Sequence, residues 1–570
     1  MNKKLFWIVN IIMIGCALVW TFTNVSYDEQ YQMAMAYRLL AGDKMITQMW
    51  EPHQTSAFVC AAFMGLYHLV TKSYTGVAVF LHLIGMLIRA AVAVCFYRTV
   101  KKDIGNSVAY FASILVFMIS PKDLAIPEFA NVQVWMGILM FCSLIEYFRK
   151  QKKTMLIAAA ACLCLQILAY PSCLIVYIPA VIILAKYADR KKRAAVIALF
   201  TGVCAIIGVG YISYFLVTRT PSDVMTNISA MMNLEPSHTV SAGTKLYAYL
   251  KDIGEMLICY AGIGAVGGIA TAIAYAGAKK KMNNDKSKLK NYAIGIFLLS
   301  TAIVMLVGFC LNIVLVTDRC AYTVIFVYII VAGLLTRKSL SVSERVVYYS
   351  GFWIGVVGFA ATLMLTNLPF TASGAYAILA IAVSVIPICR WLEQSMMTRL
   401  KKAIYICGMS FAALLVVRCI YIRTPLTGRD QICSVISEDM SLVRSGPLKG
   451  IITNDSGARK QQICVAEFAQ YVPDGSSIWI VDELTDSAFY MLGDYDVAVP
   501  STIADPKNTE GMKKYWELNP DKMPDVIAVA CYGGEIDYGI LTNSWILEWI
   551  ENEYKPSESI DGTFYRFLYK

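Results

Sequence analysis

Two adjacent acids, Asp28 and Glu29, follow directly on the first long apolar run of the 570-residue chain. A carboxylate held beside a substrate hydroxyl can take its proton, and neighbouring carboxylates can share one. The pair also has a plainer use. Ser26-Tyr27-Asp28-Glu29 has the composition of a capping box, with Ser26 at N-cap and Glu29 at N3, and acids in a first turn complement the helix dipole. A second acidic stretch runs from Asp123 to Glu128, and His53 follows Trp50-Glu51-Pro52 at a helix start, where it reads either as a substrate contact or as a polar interfacial residue. The seventeen cysteines show no metal spacing and lie mostly alone in apolar runs, as buried filler does. Gly262-x-Gly264-x-x-Gly267-Gly268 fits a dinucleotide pattern in form only. It sits inside an apolar run with no preceding strand, which points to small-residue helix packing.

The elements that must position these residues are mostly membrane helices. With 58% hydrophobic and 16% charged side chains and a mean hydropathy of +0.56, the chain is neither an ordinary soluble globule nor disordered. Apolar stretches near the ~20 residues needed to cross a bilayer fall at 5–23, 75–97, 105–120, 132–148, 154–170, 172–188, 194–217, 255–277, 292–316, 320–336, 346–366, 369–388 and 403–422. Residues 55–71 form one further, shorter apolar segment that carries His68. Basic clusters occur at Lys3/Lys4; Arg98, Lys101 and Lys102; Arg149 to Lys153; Lys186 with Arg190 to Arg193; Lys279 to Lys290; Arg337, Lys338 and Arg345; and Arg390 to Lys402. Short cytoplasmic loops retain Lys and Arg, and all seven clusters share one side only if 55–71 does not cross. The expectation is thirteen spans, an interfacial helix at 55–71, the N terminus inside and everything after residue 422 outside, in a multi-pass protein of the plasma membrane. Lys3-Lys4 and the following run resemble a signal peptide, but the run continues past Cys16 to Phe22, as in an uncleaved first span.

The net charge of +10 then divides into two terms. Residues 423–570 carry 13 basic and 23 acidic side chains, leaving 37 basic and 17 acidic in the membrane part, and 27 of those 37 lie in the seven clusters. That is a topology signal beside an acidic exterior, and it gives no reason to expect nucleic acid.

Three outer regions follow from this topology. In 24–74 a helix is predicted from the capping box through Tyr31, Ala34, Met35 and Leu39 to a stop at Gly42. The second region is 120–131. The third, 218–254, is polar and irregular, ends in a helix near 244–256, and includes Asn227-Ile228-Ser229, which fits a glycosylation acceptor. Tyr170-Pro171 breaks a helix between two spans. Arg89, Glu146 and Gln166 are the main polar groups inside spans, and Arg89 is deep enough to snorkel inward; Arg418 near the last outer end is expected to snorkel outward. In 423–570 composition changes: strands are predicted at 477–481, 525–530 and 562–569, with helices near 434–445, 458–471, 508–518 and 542–553. The fold class is thus a polytopic α-helical membrane protein, 1–422, with a C-terminal extracytoplasmic α/β domain, 423–570.

One span, then Tyr27-Asp28-Glu29-x-Tyr31, then Ala36-x-x-Leu39-Leu40-Ala41-Gly42-Asp43, then Trp50-Glu51-Pro52-His53, a juxtamembrane helix and a second acidic outer loop: this arrangement resembles the GT-C superfamily of polytopic glycosyltransferases, in particular its bacterial branch of protein O-mannosyltransferases and aminoarabinose transferases. The likeness covers about the first 190 residues. Departures are the single Pro52-His53 where two prolines are usual, and His82 where an arginine is usual near the outer end of the second span. The resemblance implies transfer of a sugar from a polyprenyl-phosphate-linked donor to a glycan, lipid or protein acceptor on the outer face, with inversion. It implies Asp28 as the catalytic carboxylate, Glu29 as its orienting or proton-sharing neighbour, and Glu128, or else Asp123, as a second carboxylate that binds acceptor or metal. The leaving phosphate needs cations, and Lys44, Lys122, Arg219, Lys245, Lys251 and Arg319 are available outside, with Arg219 and Lys245 preferred and Lys44 and His53 as further substrate contacts. The sequence itself requires no cofactor and leaves a divalent cation open. Competing readings are a lipid-linked saccharide flippase, a polysaccharide polymerase or ligase, and a non-enzymatic sensor anchored by the bundle.

Overall fold

Apolar runs with few breakers form helices in lipid because backbone N–H and C=O groups find no partners there except one another. The computed structural model describes residues 3–51, 53–232, 242–281, 285–310, 318–366, 368–370, 373–395, 398–423, 439–482, 487–503, 509–532, 535–536, 545–554 and 559–570. Its helices up to residue 423 are α1 (Lys3–Phe22), α2 (Tyr27–Ala41), α3 (Ala57–Thr71), α4 (Val77–Ile104), α5 (Asn106–Met118), α6 (Phe129–Lys150), α7 (Lys153–Ala169) and α8 (Tyr177–Tyr187). There follow α9 (Arg193–Thr218), α10 (Pro221–Met232), α11 (Ala242–Lys281), α12 (Lys286–Cys310), α13 (Asp318–Thr336), α14 (Val342–Leu365), α15 (Ile378–Ser395) and α16 (Thr398–Arg423). The expected spans overlap these helices, with three differences: α15 starts only at Ile378, so the first half of 369–388 is not in it, 172–188 opens with a short turn at Pro171–Val176 before α8, and 311–316 lie outside the described residues. Among the described residues seven helices are long and apolar enough to cross a membrane, and 6–22, 106–118, 153–169 and 171–187 are shorter apolar helices.

Members of several basic clusters meet at one end. Arg149 reaches both Asp103 and Glu146, Arg390 pairs with Glu344 and donates to the Asp103 carbonyl, Lys186 lies over Tyr349, and Phe6 stacks near Tyr110. These contacts join the ends of α1, α4, α5, α6, α8, α14 and α15. The opposite end holds α2, the 120–128 segment and the 366–374 connection.

Local signals account for much of this end. Ser26 Oγ accepts from the Glu29 amide and the Glu29 carboxylate accepts from the Ser26 amide, while Gly42 closes the helix at φ 105°, a left-handed position suited to glycine. α3 is a helix as expected and leaves Leu66, Leu69 and Val70 exposed. The helix expected at 244–256 and the following span are one continuous helix, α11, since only Gly254 interrupts them and a single glycine costs about 1 kcal/mol. Of the glycine cluster on α11, Gly267 packs tightly, its Cβ position lying 2.4 Å from Thr301 on α12.

Beyond residue 438 the chain forms β1 (Met440–Leu442), β2 (Ile452–Asn454), α17 (Asp455–Tyr471), β3 (Ser477–Val481), β4 (Asp496–Val497), α18 (Thr509–Leu518), β5 (Val526–Tyr532), β6 (Glu535–Ile536), α19 (Trp545–Glu553), β7 (Ile560–Asp561) and β8 (Tyr565–Tyr569). The larger sheet has the order β4-β3-β5-β8-β7, parallel between β3 and its neighbours and antiparallel across β5–β8–β7, with β6 paired to β5. The helix expected at 434–445 is corrected in its described part. Residues 440–442 pair antiparallel with 452–454, because a turn through Gly446 and Gly450 at positive φ folds the two segments together. Residues 434–438 lie outside the described residues.

This C-terminal unit shares its core with the segment 24–74 and the start of α4. Met33, Ala36, Tyr37, Trp50 and Met64 belong to the same buried cluster as Ile478, Trp479, Tyr490, Ile527 and Phe567.

Candidate active site

Asp28 stands in the first turn of α2 with its carboxylate partly exposed, and its Oδ2 accepts from Lys122 Nζ at 3.0 Å. Glu29, one residue on, is fully buried. Besides closing the cap, it accepts from the Ala125 amide at 2.6 Å, and His82 Nε2 lies 3.5 Å away. Glu29 therefore ties α2 to the second acidic segment.

That segment is held from below. A Cβ at Gly85 would stand 1.8 Å from the Ala125 carbonyl oxygen, so α4 and the segment touch backbone to helix. Arg89, one turn further along α4, donates to Ser120 Oγ at 2.6 Å and the Leu124 carbonyl at 2.5 Å, with its guanidinium over Trp20. It does not snorkel inward, because these acceptors draw it the other way. Asn131 adds donations to the Leu124 and Ile126 carbonyls. Held so, Lys122 adopts φ 53° and its ammonium lies over the Phe129 ring and against Asp28.

Glu128 is the N-cap of α6, accepting from the Ala130 amide at 2.7 Å and the Asn131 amide at 2.5 Å. It is fully buried, and burial pushes its carboxyl up to about 8, against the pull of those amides and of Lys122; Asp28 pushes it further up. The neighbouring walls are aromatic. His53 stacks on Phe129 at 4.1 Å and leans on Tyr170 at 5.0 Å, while Tyr376 is buried within electrostatic reach of Tyr170, Glu128 and Asp28. The arrangement offers an accessible carboxylate, an adjacent cation and a second carboxyl that holds its proton at neutral pH.

The structure brings Asp28, Lys122, Glu128 and His53 into one neighbourhood. It places the other sequence candidates elsewhere. Arg219 is 92% buried, since it is 8% exposed, with its guanidinium against Phe215 and Tyr214 and its Nε on Thr47 Oγ1. Lys245 donates to the Met364 carbonyl from α11. Lys44 is exposed in a turn closed by its amide on Gln48 Oε1. Neither Arg219 nor Lys245, preferred from the sequence as cations for the leaving phosphate, contacts Asp28, and the cation that does is Lys122. Asp123 lies on the Pro121–Asp123 turn and Arg319 on α13; Pro52 and the side chains of Asp123, Arg319 and Arg418 lie outside the described residues. Asn227 is buried, accepts from Trp50 Nε1 and donates to the Asp223 carbonyl, which closes it to glycosylation. Among the described residues no group of three or more His, Cys, Asp or Glu could hold a metal ion.

Arg38 escaped the sequence reading. Fully buried on α2, it donates to Asp43 Oδ2, Glu51 Oε1, and the carbonyls of Gln48 and Pro500. Asp43 also meets Lys522, which pairs with Asp496, and Glu51 accepts from Ser501 and the Thr502 amide. Asp43 and Glu51, which carry the sequence resemblance, thus anchor the C-terminal unit. The available signal was the i, i+5 spacing of Arg38 and Asp43 around a helix stop.

No family model and no curated protein matches the chain. Among solved structures it is similar to the archaeal oligosaccharyltransferase AglB from Archaeoglobus fulgidus in complex with an inhibitory peptide and a dolichol-phosphate, at 10% identity and a TM-score of 0.44, over 93% of this chain and 70% of that one. It is similar as well to the Archaeoglobus fulgidus oligosaccharyltransferase tethered with an acceptor peptide, at 11% identity and a TM-score of 0.44, over 93% of this chain and 69% of that one. A third similar structure, the same enzyme in complex with Zn and sulfate, gives 9% identity and a TM-score of 0.44, over 91% and 68%.

Proposed function

We propose that this chain is a membrane glycosyltransferase that moves a sugar from a polyprenyl-phosphate-linked donor to an acceptor hydroxyl or amine on the outer face of the plasma membrane. The observation that carries the reading is the Asp28–Lys122 contact beside the buried Glu128, at the end of the bundle opposite the basic clusters. Asp28 takes the acceptor proton as the acceptor attacks the anomeric carbon in line. The bond from that carbon to the phosphate oxygen breaks, its electron pair leaves with the lipid phosphate, and the configuration inverts. Lys122 passes from Asp28 to the phosphate as negative charge leaves the one and builds on the other. Glu128 and Tyr170 are buried behind this pair and hold its frame, Glu128 through the Ala130 and Asn131 amides at the start of α6, while the partly exposed His53, stacked on Phe129, serves as a substrate contact.

The test is transfer of a labelled sugar from polyprenyl-phosphate donor in membranes containing the intact chain or Asp28→Asn at equal expression. A loss of at least about a hundredfold is expected for removal of the general base. Full transfer by Asp28→Asn sinks the assignment.

A further inference from the structure

At the basic end of the bundle the tips of α4 and α6 leave a groove of about 600 Å³ lined by Ala91, Val94, Cys95, Arg98, Thr99, Lys101, Lys102, Glu146 and Lys150. Four cations face one carboxylate there. Glu146 engages Lys102, Arg149 and Lys150, so its charge is already spent on the α6 side of the groove. On the α4 side Arg98 is exposed, and the partly exposed Lys101 places its ammonium over the Tyr97 ring at the rim.

The groove does not end at its basic rim. Leu87, Ala91, Val94 and Arg98 are all exposed and recur at helical spacing, which puts an apolar stripe and a cation on one face of α4. From Leu87 to Arg98 the helix rises about 16 Å, close to the ~15 Å of one leaflet's hydrocarbon. A free phosphate would use the rim and leave the stripe uncovered. A molecule with both an anionic head and an acyl chain uses both.

We propose that this groove binds an anionic phospholipid of the surrounding leaflet, its phosphate on Arg98 and Lys101 and an acyl chain along Leu87, Ala91 and Val94. Basic pockets between membrane helices on this side select anionic headgroups through the summed charge of the rim. The site lies at the end of the bundle away from Asp28 and stands independently of the reaction proposed there.

Native mass spectrometry of the intact chain, released from detergent with palmitoyl-oleoyl-phosphatidylglycerol as probe, tests this. Retained phosphatidylglycerol is expected, displaced neither by phosphatidylcholine nor by glycerol 3-phosphate. The double variant R98Q/K101Q is expected to bind on the order of tenfold more weakly. K191Q/K192Q removes the same charge from another basic loop and is expected to bind as the parent does. Should the double variant unfold, R98Q and K101Q singly are each expected to lose about threefold, with R98K restoring binding. Equal retention of phosphatidylcholine, full competition by glycerol 3-phosphate, unchanged binding in the Arg98 and Lys101 variants, or an equal loss in K191Q/K192Q overturns the proposal.

Discussion

Lys122 holds two positions in one proposed reaction, and this makes its removal informative. At rest it meets a carboxylate that is about a quarter exposed, a pairing worth no more than about 1 kcal/mol in the fold. In the transition state the same ammonium faces charge building on a leaving phosphate, where one such group is worth about 3–4 kcal/mol. The second effect wins, so Lys122→Gln should fold with a near-parental thermal midpoint and lose about 10²–10³ in kcat, with KM changing less. Steady-state kinetics with labelled donor measure the split; a parental kcat places the phosphate elsewhere. Glu128 supplies a pH signature of its own. Its carboxyl is raised by burial from 4.5 to about 8 in the fold, so between those values the native chain holds a proton that the unfolded chain has released. Its stabilising contribution is complete below about pH 4.5 and is lost as pH rises to about 8, and linkage allows a few kcal/mol across that window. Glu128→Gln cannot titrate. The gap between parent and Glu128→Gln in thermal midpoint should shift in favour of the variant from pH 5 to pH 8.5, and a constant gap would show that the carboxyl ionises normally.

At the scale of elements, the site is a segment pressed onto a helix. Gly85→Ala puts a methyl group 1.8 Å from the Ala125 carbonyl oxygen, so the 120–128 segment must move. Overpacking of this kind costs about 1–3 kcal/mol, and displacement of Lys122 should lower transfer more than tenfold in protein that still reaches the membrane. Parental activity in Gly85→Ala would show that the segment's position is immaterial. Arg38 is the matching case on α2. Arg38→Met leaves Asp43 and Glu51 buried with less compensation, and burial already pushes the Glu51 carboxyl upward. A loss of about 3–5 kcal/mol is expected, read as a lowered thermal midpoint and faster proteolysis of 439–570. These two positions also mark where sequence reading stops. The Ser26–Glu29 cap and the Gly42 stop were legible because each is settled within three or four residues, and the helices of the bundle because hydropathy over ~20 residues suffices. Lys122 was passed over in favour of Arg219 because its place depends on Arg89 and Gly85, more than thirty residues earlier. Residues 440–442 read as helix because a three-residue strand has no pattern of its own until 452–454 lies beside it. Arg38 carried no signal of its own, and only Pro500 and Lys522, more than 460 residues away, make it part of a buried hub.

At the scale of the whole molecule, the distribution of charge decides which chemistry is available. The contacts among Arg149, Asp103, Glu344 and Arg390 collect basic helix ends at one pole, while Asp28, Lys122 and the acidic C-terminal unit occupy the other. Carrying Lys or Arg through a bilayer centre costs at least about 2.5 kcal/mol per residue, so a pole holding many of them is expected on the side of synthesis. The C-terminal unit cannot take a side of its own, since Tyr37 on α2 bonds the Tyr495 backbone and the Trp50 amide donates to Pro500. Alkaline phosphatase fused after Lys570 should therefore be active in cells, and the same enzyme fused after Lys192, in the basic loop between α8 and α9, should be inactive. The consequence reaches the substrate. Nucleotide sugars are absent outside the membrane, so an Asp28 pole facing outward needs a donor whose leaving group travels in the lipid, and in the proposed reaction Lys122 answers that lipid's phosphate. The reverse pattern of fusion activity would place Asp28 where nucleotide sugars are plentiful, and with it would fall both the outer-face acceptor and the requirement for a polyprenyl-phosphate donor.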